Sequence, residues 1–373
     1  MRTSREVVRP RRTGSGRAGS AKAGPVVAVT GASSGLGHAL AARLSASAAV
    51  RKVVAIDAHR GDVEGVTWRV IDVRDPRLAG RLADVDIVVH LALDVSLERD
   101  PRERRAFNVR ATQTALTASA ASGVRRVVLL SSAMVYGAVP DNPVPLDEDA
   151  PLRAVSGTGL VGDFLEIEQL AAQSPRTHPG LAVTVLRPAA LVGPGVDTIV
   201  TRHFESPRLL AVKGGTPRWQ FCHIDDLLDA IEITLGGEVD GAAAVGCDGW
   251  LEEETIEEIS GLRRFELPAV LTFGTAERLH RLGVTPAPAS ELHFVVHPWV
   301  VRPAKLPAAG WCASYDNELA LEALMEEVAG RHAVAGRRLA RKEATITAAG
   351  AAGATAAAIG TAALIRRRRR GRG

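Results

Sequence analysis

Short apolar runs alternate with longer amphipathic stretches along the first half of the chain. Buried strands are predicted for the runs rich in β-branched residues, at residues 26–30, 53–56, 85–91, 127–130 and 182–186. Helices are predicted between them, at residues 36–44, 101–122 and 162–173. Strands separated by helices imply right-handed crossovers, so we predict an α/β fold with a parallel sheet covered on both faces.

This alternation loosens beyond residue 190 into Gly- and Pro-rich segments with scattered short elements. We therefore predict a doubly wound domain in residues 25–190 and a smaller C-terminal lobe in residues 191–330. The lobe is expected to close over the carboxyl edge of the sheet, where a small-molecule ligand would bind. Residues 223–245 are expected to return from the lobe to the core of the first domain.

Both ends of the chain differ from the body in composition. Residues 1–24 are rich in Arg, Gly and Ser and predict a disordered basic arm. The pair Arg11-Arg12 is not followed by an apolar segment, so no export signal is predicted. Residues 331–373 form a basic, Ala- and Gly-rich tail, in which residues 346–365 are long enough to span a bilayer but contain few strongly apolar side chains. Two interpretations remain open, a solvated tail and a segment that anchors at an anionic membrane surface.

The net charge of +4 is distributed unevenly. Residues 1–24 carry +6 and residues 331–373 carry +10, so residues 25–330 carry about −12. An acidic body argues against nucleic-acid binding. The three cysteines, Cys222, Cys247 and Cys312, have no metal-like spacing and give neither a disulfide framework nor a metal site. We therefore predict a cytoplasmic protein, with peripheral or anchored membrane association as the alternative.

A glycine-rich turn follows the first predicted strand and precedes the first predicted helix. Its sequence, residues 30–37, is T-G-A-S-S-G-L-G. Gly31 permits a tight turn, Gly35 lets the backbone approach a pyrophosphate, and Gly37 allows the helix to pack closely on the strand. The helix N-terminus offers unpaired N–H groups to phosphates. The turn predicts a Rossmann domain that binds a nicotinamide dinucleotide through Gly31, Ser33, Ser34, Gly35, Leu36 and Gly37.

Asp57 closes the second predicted strand, where its carboxylate can accept hydrogen bonds from both adenosine-ribose hydroxyls. A 2′-phosphate at that place would meet a like charge, so NAD is favoured over NADP. Arg60 lies nearby in sequence and would soften this preference if it faced the site.

A third strand is predicted to close at Asp72-Val73 within R-V-I-D-V-R-D at 69–75, and the fourth closes at His90-Leu91-Ala92. These and further motifs occur in the order expected for one family: Asn108-Val109, S-S-A-M-V-Y-G at 131–137, L-R-P-A-A-L-V-G-P-G at 186–195, F-C-H-I-D-D at 221–226 and Gly310-Trp311. The chain resembles the extended short-chain dehydrogenase/reductase superfamily of nucleotide-sugar epimerases and dehydratases, over about residues 26–324. Its glycine spacing, G-x-x-x-G-x-G, is more usual in the single-domain branch. Residues 141–149 and 284–292 resemble a bacterial UDP-glucose 4-epimerase-like subgroup whose members do not all keep the active-site tyrosine.

The resemblance implies roles for individual residues. Asp72 and Val73 would lie at the adenine, Leu91 and Ala92 along the cofactor, and Ser131 and Pro188 near the nicotinamide, with Asn108 also counted among the cofactor residues. Ser132 matches a serine that hydrogen-bonds the reacting oxygen, although a structural strand-end hydroxyl explains it equally well. A nucleotide-sugar ligand and a homodimer are further implications.

The family's base is a tyrosine four residues ahead of a lysine on one helix face. The charge of the lysine lowers the pKa of the tyrosine. No tyrosine or lysine occurs between Gly137 and Val212. One register places Leu160 and Phe164 at the two positions, and a register displaced by two residues places Thr158 and Gly162 there. Alternative bases are Asp163, Glu166, His203 and His223, whereas Tyr136 is expected to pack in the core.

Two classes of function follow and remain open. The first is an epimerase/dehydratase-like enzyme with an unusual acid/base group. The second is a pseudoenzyme that holds NAD while its lobe senses a ligand or presents a surface to a partner.

Overall fold

A computed structural model describes residues 24–157, 159–282, 288–331, 333–334 and 337–338. The strands are, in chain order, β1 (Val26–Thr30), β2 (Lys52–Asp57), β3 (Thr67–Val70), β4 (Ile87–His90), β5 (Arg126–Leu130), β6 (Ala182–Pro188), β7 (Ala190–Val192), β8 (Leu209–Val212), β9 (Phe221–His223), β10 (Gly241–Val245), β11 (Arg264–Leu267), β12 (Ala333–Val334) and β13 (Arg337–Arg338).

The helices are α1 (Gly35–Ala46), α2 (Pro101–Ala121), α3 (Leu160–Thr177), α4 (Ile199–Phe204), α5 (Ile224–Thr234), α6 (Glu253–Ser260), α7 (Ala269–Arg281), α8 (Lys305–Ala308) and α9 (Asn317–Val328). Short 3₁₀ helices occupy Pro76–Arg81, Ala133–Tyr136 and Ala289–Val295.

Seven parallel strands form the central sheet, in the order β10-β6-β5-β4-β1-β2-β3. The predicted doubly wound α/β fold is therefore confirmed. Strand order reverses between β1 and β4, and ligands of open α/β sheets bind at such a switch point, beyond the carboxyl ends of the strands. The glycine turn leaves β1 at this point. The register pairs Val27 of β1 with Val53 of β2 and with Ile87 of β4.

Both faces of the sheet are buried, because successive side chains of a strand point to opposite faces. Val27 and Val29 pack with Leu40 of α1 in one hydrophobic cluster. Val26 and Ala28 belong to a second cluster, which includes residues of α2 and α3. This two-sided burial explains why the strands appear in the sequence as continuous apolar runs.

Several predicted boundaries shift by a few residues. The fourth predicted strand begins at Ile87 rather than at residue 85, and α3 runs from Leu160 to Thr177 rather than over 162–173. Strand β3 ends at Val70, so Asp72 lies in the following turn. After residue 190, α5 packs on β6 and β10, and β10 forms one edge of the central sheet.

The remaining C-terminal elements surround small parallel pairs, β7 with β9 and β8 with β11. Phe204, Trp219 and Phe221 pack against one another in the core of this region. Within the described ranges, no helix combines the length and apolar composition needed to cross a bilayer. The basic arm and residues 346–365 lie outside the described residues.

Candidate functional site

The glycine turn has a backbone that only glycine accommodates at two positions. Gly31 has φ of 72°, and a Cβ atom there would lie 2.8 Å from the carbonyl oxygen of Leu91. Gly37 lies in the first turn of α1, and a Cβ atom there would lie 2.1 Å from the carbonyl oxygen of Gly31. Helix α1 therefore packs directly against the turn, and the turn packs directly against the end of β4.

The N-terminus of α1 has the properties of an anion site. Its N-cap residue, Ser34, makes no side-chain capping bond, and the first turn of the helix contains no acidic side chain. Gly35 has φ of 54°, and a Cβ atom there would meet nothing within 4 Å. The N–H groups at the start of α1 thus receive no cap from the Ser34 side chain and lie beside open space, which suits a pyrophosphate.

Asp57 ends β2 beside this turn, as predicted. One carboxylate oxygen, Oδ2, accepts the backbone N–H of Ser33 at 3.1 Å and its hydroxyl at 2.8 Å. The other, Oδ1, accepts the N–H of Ala58 at 2.7 Å. The carboxylate is therefore held at the edge of the glycine turn, with lone pairs left for further donors.

Asp72 and Val73, predicted at the adenine, differ in exposure. Val73 is buried in the second hydrophobic cluster. The Asp72 carboxylate pairs with the guanidinium of Arg74, which holds the Asp72 pKa below its usual value. That guanidinium lies 5.0 Å from the ring centroid of Phe107 on α2. Of these two residues, Asp72 thus has its side chain near the surface, whereas the side chain of Val73 is buried.

A chain of hydrogen bonds fixes the end of β4, where Leu91 and Ala92 were predicted to line the cofactor. The hydroxyl oxygen of Thr30 accepts the N–H groups of Leu91 at 3.1 Å and Ala92 at 3.2 Å. Its own proton is then donated to Nδ1 of His90 at 2.9 Å. Nε2–H of His90 donates to the hydroxyl of Thr112 at 3.3 Å, an assignment made from these partners. His90 is a satisfied core histidine that positions this backbone.

The burial of His90 makes the stability of the folded protein depend on pH. Burial lowers the His90 pKa to about 4, from 6.5 in the unfolded chain. The unfolded state therefore binds more protons between pH 4 and pH 6.5, so His90 costs no stability above pH 6.5 and lowers it progressively as pH falls through that window. The free energy of unfolding, measured by urea titration, falls between pH 7.5 and pH 4.5. We expect this fall to be about 2 kcal/mol smaller for the variant H90Q than for the parent. An unchanged pH dependence would contradict this account.

Asn108 of α2 connects the segment after β4 to α3. Its side chain accepts the N–H of Asp94 at 2.7 Å and donates to the carbonyl oxygen of Asp94 at 2.8 Å. It also donates to Oδ2 of Asp163 at 3.0 Å, and Arg104 donates to the same oxygen at 2.9 Å. Burial raises the Asp163 pKa, and among the described residues Oδ1 of Asp163 has no hydrogen-bond partner. Sequence analysis did not predict this buried cluster.

Glu291, also missed, joins the C-terminal part of the chain to the same helix. It is buried, and its Oε1 accepts the N–H of Leu160 at 2.7 Å at the start of α3. Burial raises its pKa. A second link is formed by Arg202 of α4, which donates to Glu98 at 2.7 Å in the segment after β4. Both contacts tie residues beyond 190 to segments at the carboxyl edge of the sheet.

The strand-end serines follow β5. Ser131 is buried, its N–H donates to the carbonyl oxygen of Leu186 at 2.8 Å, and no described residue bonds its hydroxyl. The hydroxyl of Ser132 accepts the N–H of Met134 at 3.2 Å and so caps the 3₁₀ helix Ala133–Tyr136. Pro188 is buried at the end of β6. The capping contact accounts for Ser132 structurally and leaves its hydroxyl proton available.

Tyr136 and Arg187 belong to a buried network. The Tyr136 hydroxyl donates to the carbonyl oxygen of Glu148 at 2.8 Å and accepts from Arg187 at 2.8 Å. Arg187 also makes two hydrogen bonds of 2.8 Å with the carboxylate of Glu168. Burial raises the Tyr136 pKa. Tyr136 therefore packs in the core as predicted, and Arg187 is already paired rather than free to bind a diphosphate.

The sequence matches the model of a protein family, NAD dependent epimerase/dehydratase, over residues 27–242. The chain belongs to this family. An uncharacterised protein of Mycobacterium tuberculosis is 35% identical over 240 residues, which are 61% of this chain and 63% of the relative. The chain thus matches less than two thirds of the mycobacterial protein. A 3-diazoavenalumate denitrifying reductase of a Streptomyces species is 32% identical over 60% of this chain and 76% of the reductase.

Solved structures show the family fold. A UDP-glucose 4-epimerase of Thermus thermophilus, in complex with NAD, has a TM-score of 0.60 and 19% identity, covering 82% of this chain and 99% of the epimerase. A double mutant of a dTDP-glucose 4,6-dehydratase of Streptomyces venezuelae, with NAD bound, has a TM-score of 0.61 and 19% identity, covering 82% and 97%. The expected relationship to extended epimerases and dehydratases is confirmed.

Two registers were compared with the family's tyrosine and lysine. Of the four residues that they place at these positions, the three that the structure describes have no side chain that can transfer a proton. Leu160 is the first residue of α3, and Phe164 is buried against the second hydrophobic cluster. Gly162 is buried, and a Cβ atom there would lie 2.4 Å from the carbonyl oxygen of Gly157. Thr158 lies outside the described residues.

The alternative bases are engaged elsewhere. Glu166 pairs with Arg105 at the surface between α2 and α3. The ring of His203 stacks on Trp219, and burial lowers the His203 pKa to about 4. Nδ1 of His223 accepts the N–H of Asp225 and caps α5. In the described part of the chain, no three His, Cys, Asp or Glu side chains converge in an arrangement suited to a metal ion.

Proposed function

We propose that this protein is an NAD-binding, epimerase/dehydratase-like protein that does not oxidise sugar carbinols by the Tyr–Lys route. The observation that carries this proposal is the sequence at the start of α3. One register sets Leu160 and Phe164 at the positions of the family's base and cation, and the other sets Thr158 and Gly162 there. The sequence has no tyrosine or lysine between Gly137 and Val212 to replace them. The protein would therefore hold NAD as a sensor or scaffold, with a nucleotide-sugar as its second ligand.

The residues at the carboxyl edge of the sheet fit NAD. The N–H groups at the start of α1 would bind the pyrophosphate, and Asp57 would accept the ribose hydroxyls. Leu91 and Ala92, held in place by Thr30, would line the dinucleotide. Bound NAD supplies a hydride acceptor. At the start of α3, Leu160, Gly162 and Phe164 supply no base to remove a carbinol proton, and without one, hydride transfer from an alcohol is slow.

A second candidate is an NADH-dependent reductase, favoured by the match to a relative named as a reductase over 76% of that relative. A reductase that acts on a strongly electrophilic acceptor has less need of a base than an epimerase has. The predicted homodimer remains a proposal, and so does the contact of residues 346–365 with an anionic membrane surface. Residues 346–365 lie outside the described residues.

The chemistry is tested by following coenzyme absorbance while NAD-loaded protein is mixed with UDP-glucose, UDP-galactose or dTDP-glucose. We expect no reduction above the buffer rate, and no epimerised product. The double variant Leu160→Tyr with Phe164→Lys restores the family's spacing, and we expect at least about tenfold faster reduction with one of these sugars. A control exchanges the two apolar side chains, Leu160→Phe with Phe164→Leu, and should remain inactive.

Turnover by the parent protein would overturn the proposal. Loss of that turnover in Asp163→Asn would identify the buried carboxyl as the base. If NADH reduces a strongly electrophilic acceptor and no sugar is oxidised, the reductase is favoured instead.

A further inference from the structure

Helix α7 packs on the rest of the protein through one side only. Thr272 is buried, and the ring of Phe273 stacks on the ring of His293, with centroids 4.6 Å apart. Ala276 and Leu279 are half-buried and lie four and seven residues after Thr272, so they share its side of the helix. This side attaches α7 to the segment that follows it in the chain.

The other side of α7 presents large apolar side chains to solvent. Val270 is 86% exposed and Leu271 is 59% exposed, and Leu282, the C-cap residue, is 76% exposed. Leu271, Arg278 and Leu282 follow one another at spacings of seven and four residues, so they lie along one line of the helix. Among the described residues, no other helix carries a large apolar side chain that is exposed. Such a group of side chains marks an interaction surface.

Arginines accompany these apolar side chains. Arg278 is exposed and, among the described residues, makes no ion pair and no side-chain hydrogen bond. Arg281 is also exposed, and its Nε lies 3.2 Å from Oε1 of Glu277 one turn earlier. An exposed pair of this kind is weak and leaves the guanidinium able to bind another anion. The α7 surface, which consists of Val270, Leu271, Arg278, Arg281 and Leu282, is therefore both apolar and basic.

We propose that the α7 surface docks on an anionic lipid bilayer. Val270, Leu271 and Leu282 would enter the boundary between headgroups and acyl chains, while Arg278 and Arg281 would reach the lipid phosphates. Helix α7 has 13 residues, which is too short to cross a bilayer, so it would lie in the plane of the interface. The inference goes beyond the proposed function and does not depend on NAD binding.

Two observations favour lipid over a second copy of the chain as the occupant. A two-fold contact between copies sets the same surface against itself, so Arg278 and Arg281 would face like charges. The sequence also contains a second segment that is apolar and basic, at residues 346–370. Stable attachment to a bilayer takes two weak signals, and the α7 surface supplies one that is separate from residues 346–370.

The test is co-sedimentation of the full chain with vesicles that contain equal parts of phosphatidylglycerol and phosphatidylcholine. We expect saturable binding that is at least about tenfold weaker on phosphatidylcholine alone. Val270→Ser with Leu271→Ser should lower the partition coefficient at least about tenfold, because it removes the apolar contacts. Arg278→Gln should lower it about fivefold. These side chains are exposed, so urea unfolding of the variants should match that of the parent.

Matched controls change similar side chains outside α7. Leu152→Ser with Val155→Ser removes two other exposed apolar side chains, and Arg110→Gln removes an exposed arginine of α2 that has no described ion pair. Both should leave vesicle binding unchanged. Because the arginines at 366–370 would attract anionic vesicles by themselves, each comparison is repeated with all five changed to glutamine. The tenfold effect of the α7 variant should persist there.

Absence of vesicle binding by the parent would overturn the proposal. Equal binding by the parent and by the variant with serine at 270 and 271, in both backgrounds, would also overturn it. Light scattering on the same samples tests the other occupant. If the variant loses an oligomer that the parent forms and keeps its vesicle binding, the α7 surface is a contact between copies instead.

Discussion

Replacement of Gly37 by alanine is expected to abolish dinucleotide binding, with at least about a 100-fold loss of affinity for NAD. The new Cβ atom would lie 2.1 Å from the carbonyl oxygen and 2.6 Å from the carbonyl carbon of Gly31. Both are backbone atoms, so α1 must move away from the turn. We expect the free energy of unfolding to fall by about 1–3 kcal/mol, measured by urea titration.

Gly274 provides the matched control, because it is also a helical glycine but a Cβ atom there would meet nothing within 4 Å. Gly274→Ala should leave NAD affinity unchanged and should stabilise the protein by about 0.5–1 kcal/mol. Equal NAD affinity of Gly37→Ala and the parent would contradict the position assigned to the pyrophosphate.

Replacement of Arg187 by methionine is expected to lower the free energy of unfolding by about 3–5 kcal/mol. Arg187 makes two hydrogen bonds with Glu168 and one with the Tyr136 hydroxyl. Burial alone lowers the Arg187 pKa, but Glu168 more than offsets this and keeps the guanidinium charged. Its loss would leave the buried Glu168 carboxylate without a compensating charge.

Arg105 on α2 is the control for this variant, because it pairs with Glu166 on the same α3 but both side chains are about one third exposed. Arg105→Met should cost less than about 1 kcal/mol. The double variant Arg187→Met with Glu168→Leu should recover much of the stability lost in the single variant. A cost for Arg187→Met no greater than that for Arg105→Met would show that the buried network contributes little.

The fold was predictable because its signals are local. Each buried strand is a continuous apolar run, and the turn at Gly31 and Gly37 needs glycine for reasons visible in the strand–turn–helix order. Boundaries were less certain, since the end of β3 at Val70 depends on pairing with β2 and not on composition. The order of the seven strands depends on contacts between distant segments.

The polar network around α3 was not predictable from the sequence. Asp163 lies 59 residues from Arg104 and 55 residues from Asn108 along the chain, and Glu291 comes from a different part of the chain again. The sequence named Asn108 and Asp163 separately, but no local pattern shows that they are buried together with Arg104 and Glu291. The absence of a tyrosine and a lysine was visible because it required only a search of residues 138–211.

The most direct measurement is a calorimetric titration of purified protein with NAD and with NADP, repeated on Gly37→Ala. The account predicts one saturable site per chain, a preference for NAD of at least about tenfold, and loss of the binding heat in the variant. Absence of binding by the parent at about 1 mM of either coenzyme, or identical binding by parent and variant, would contradict it.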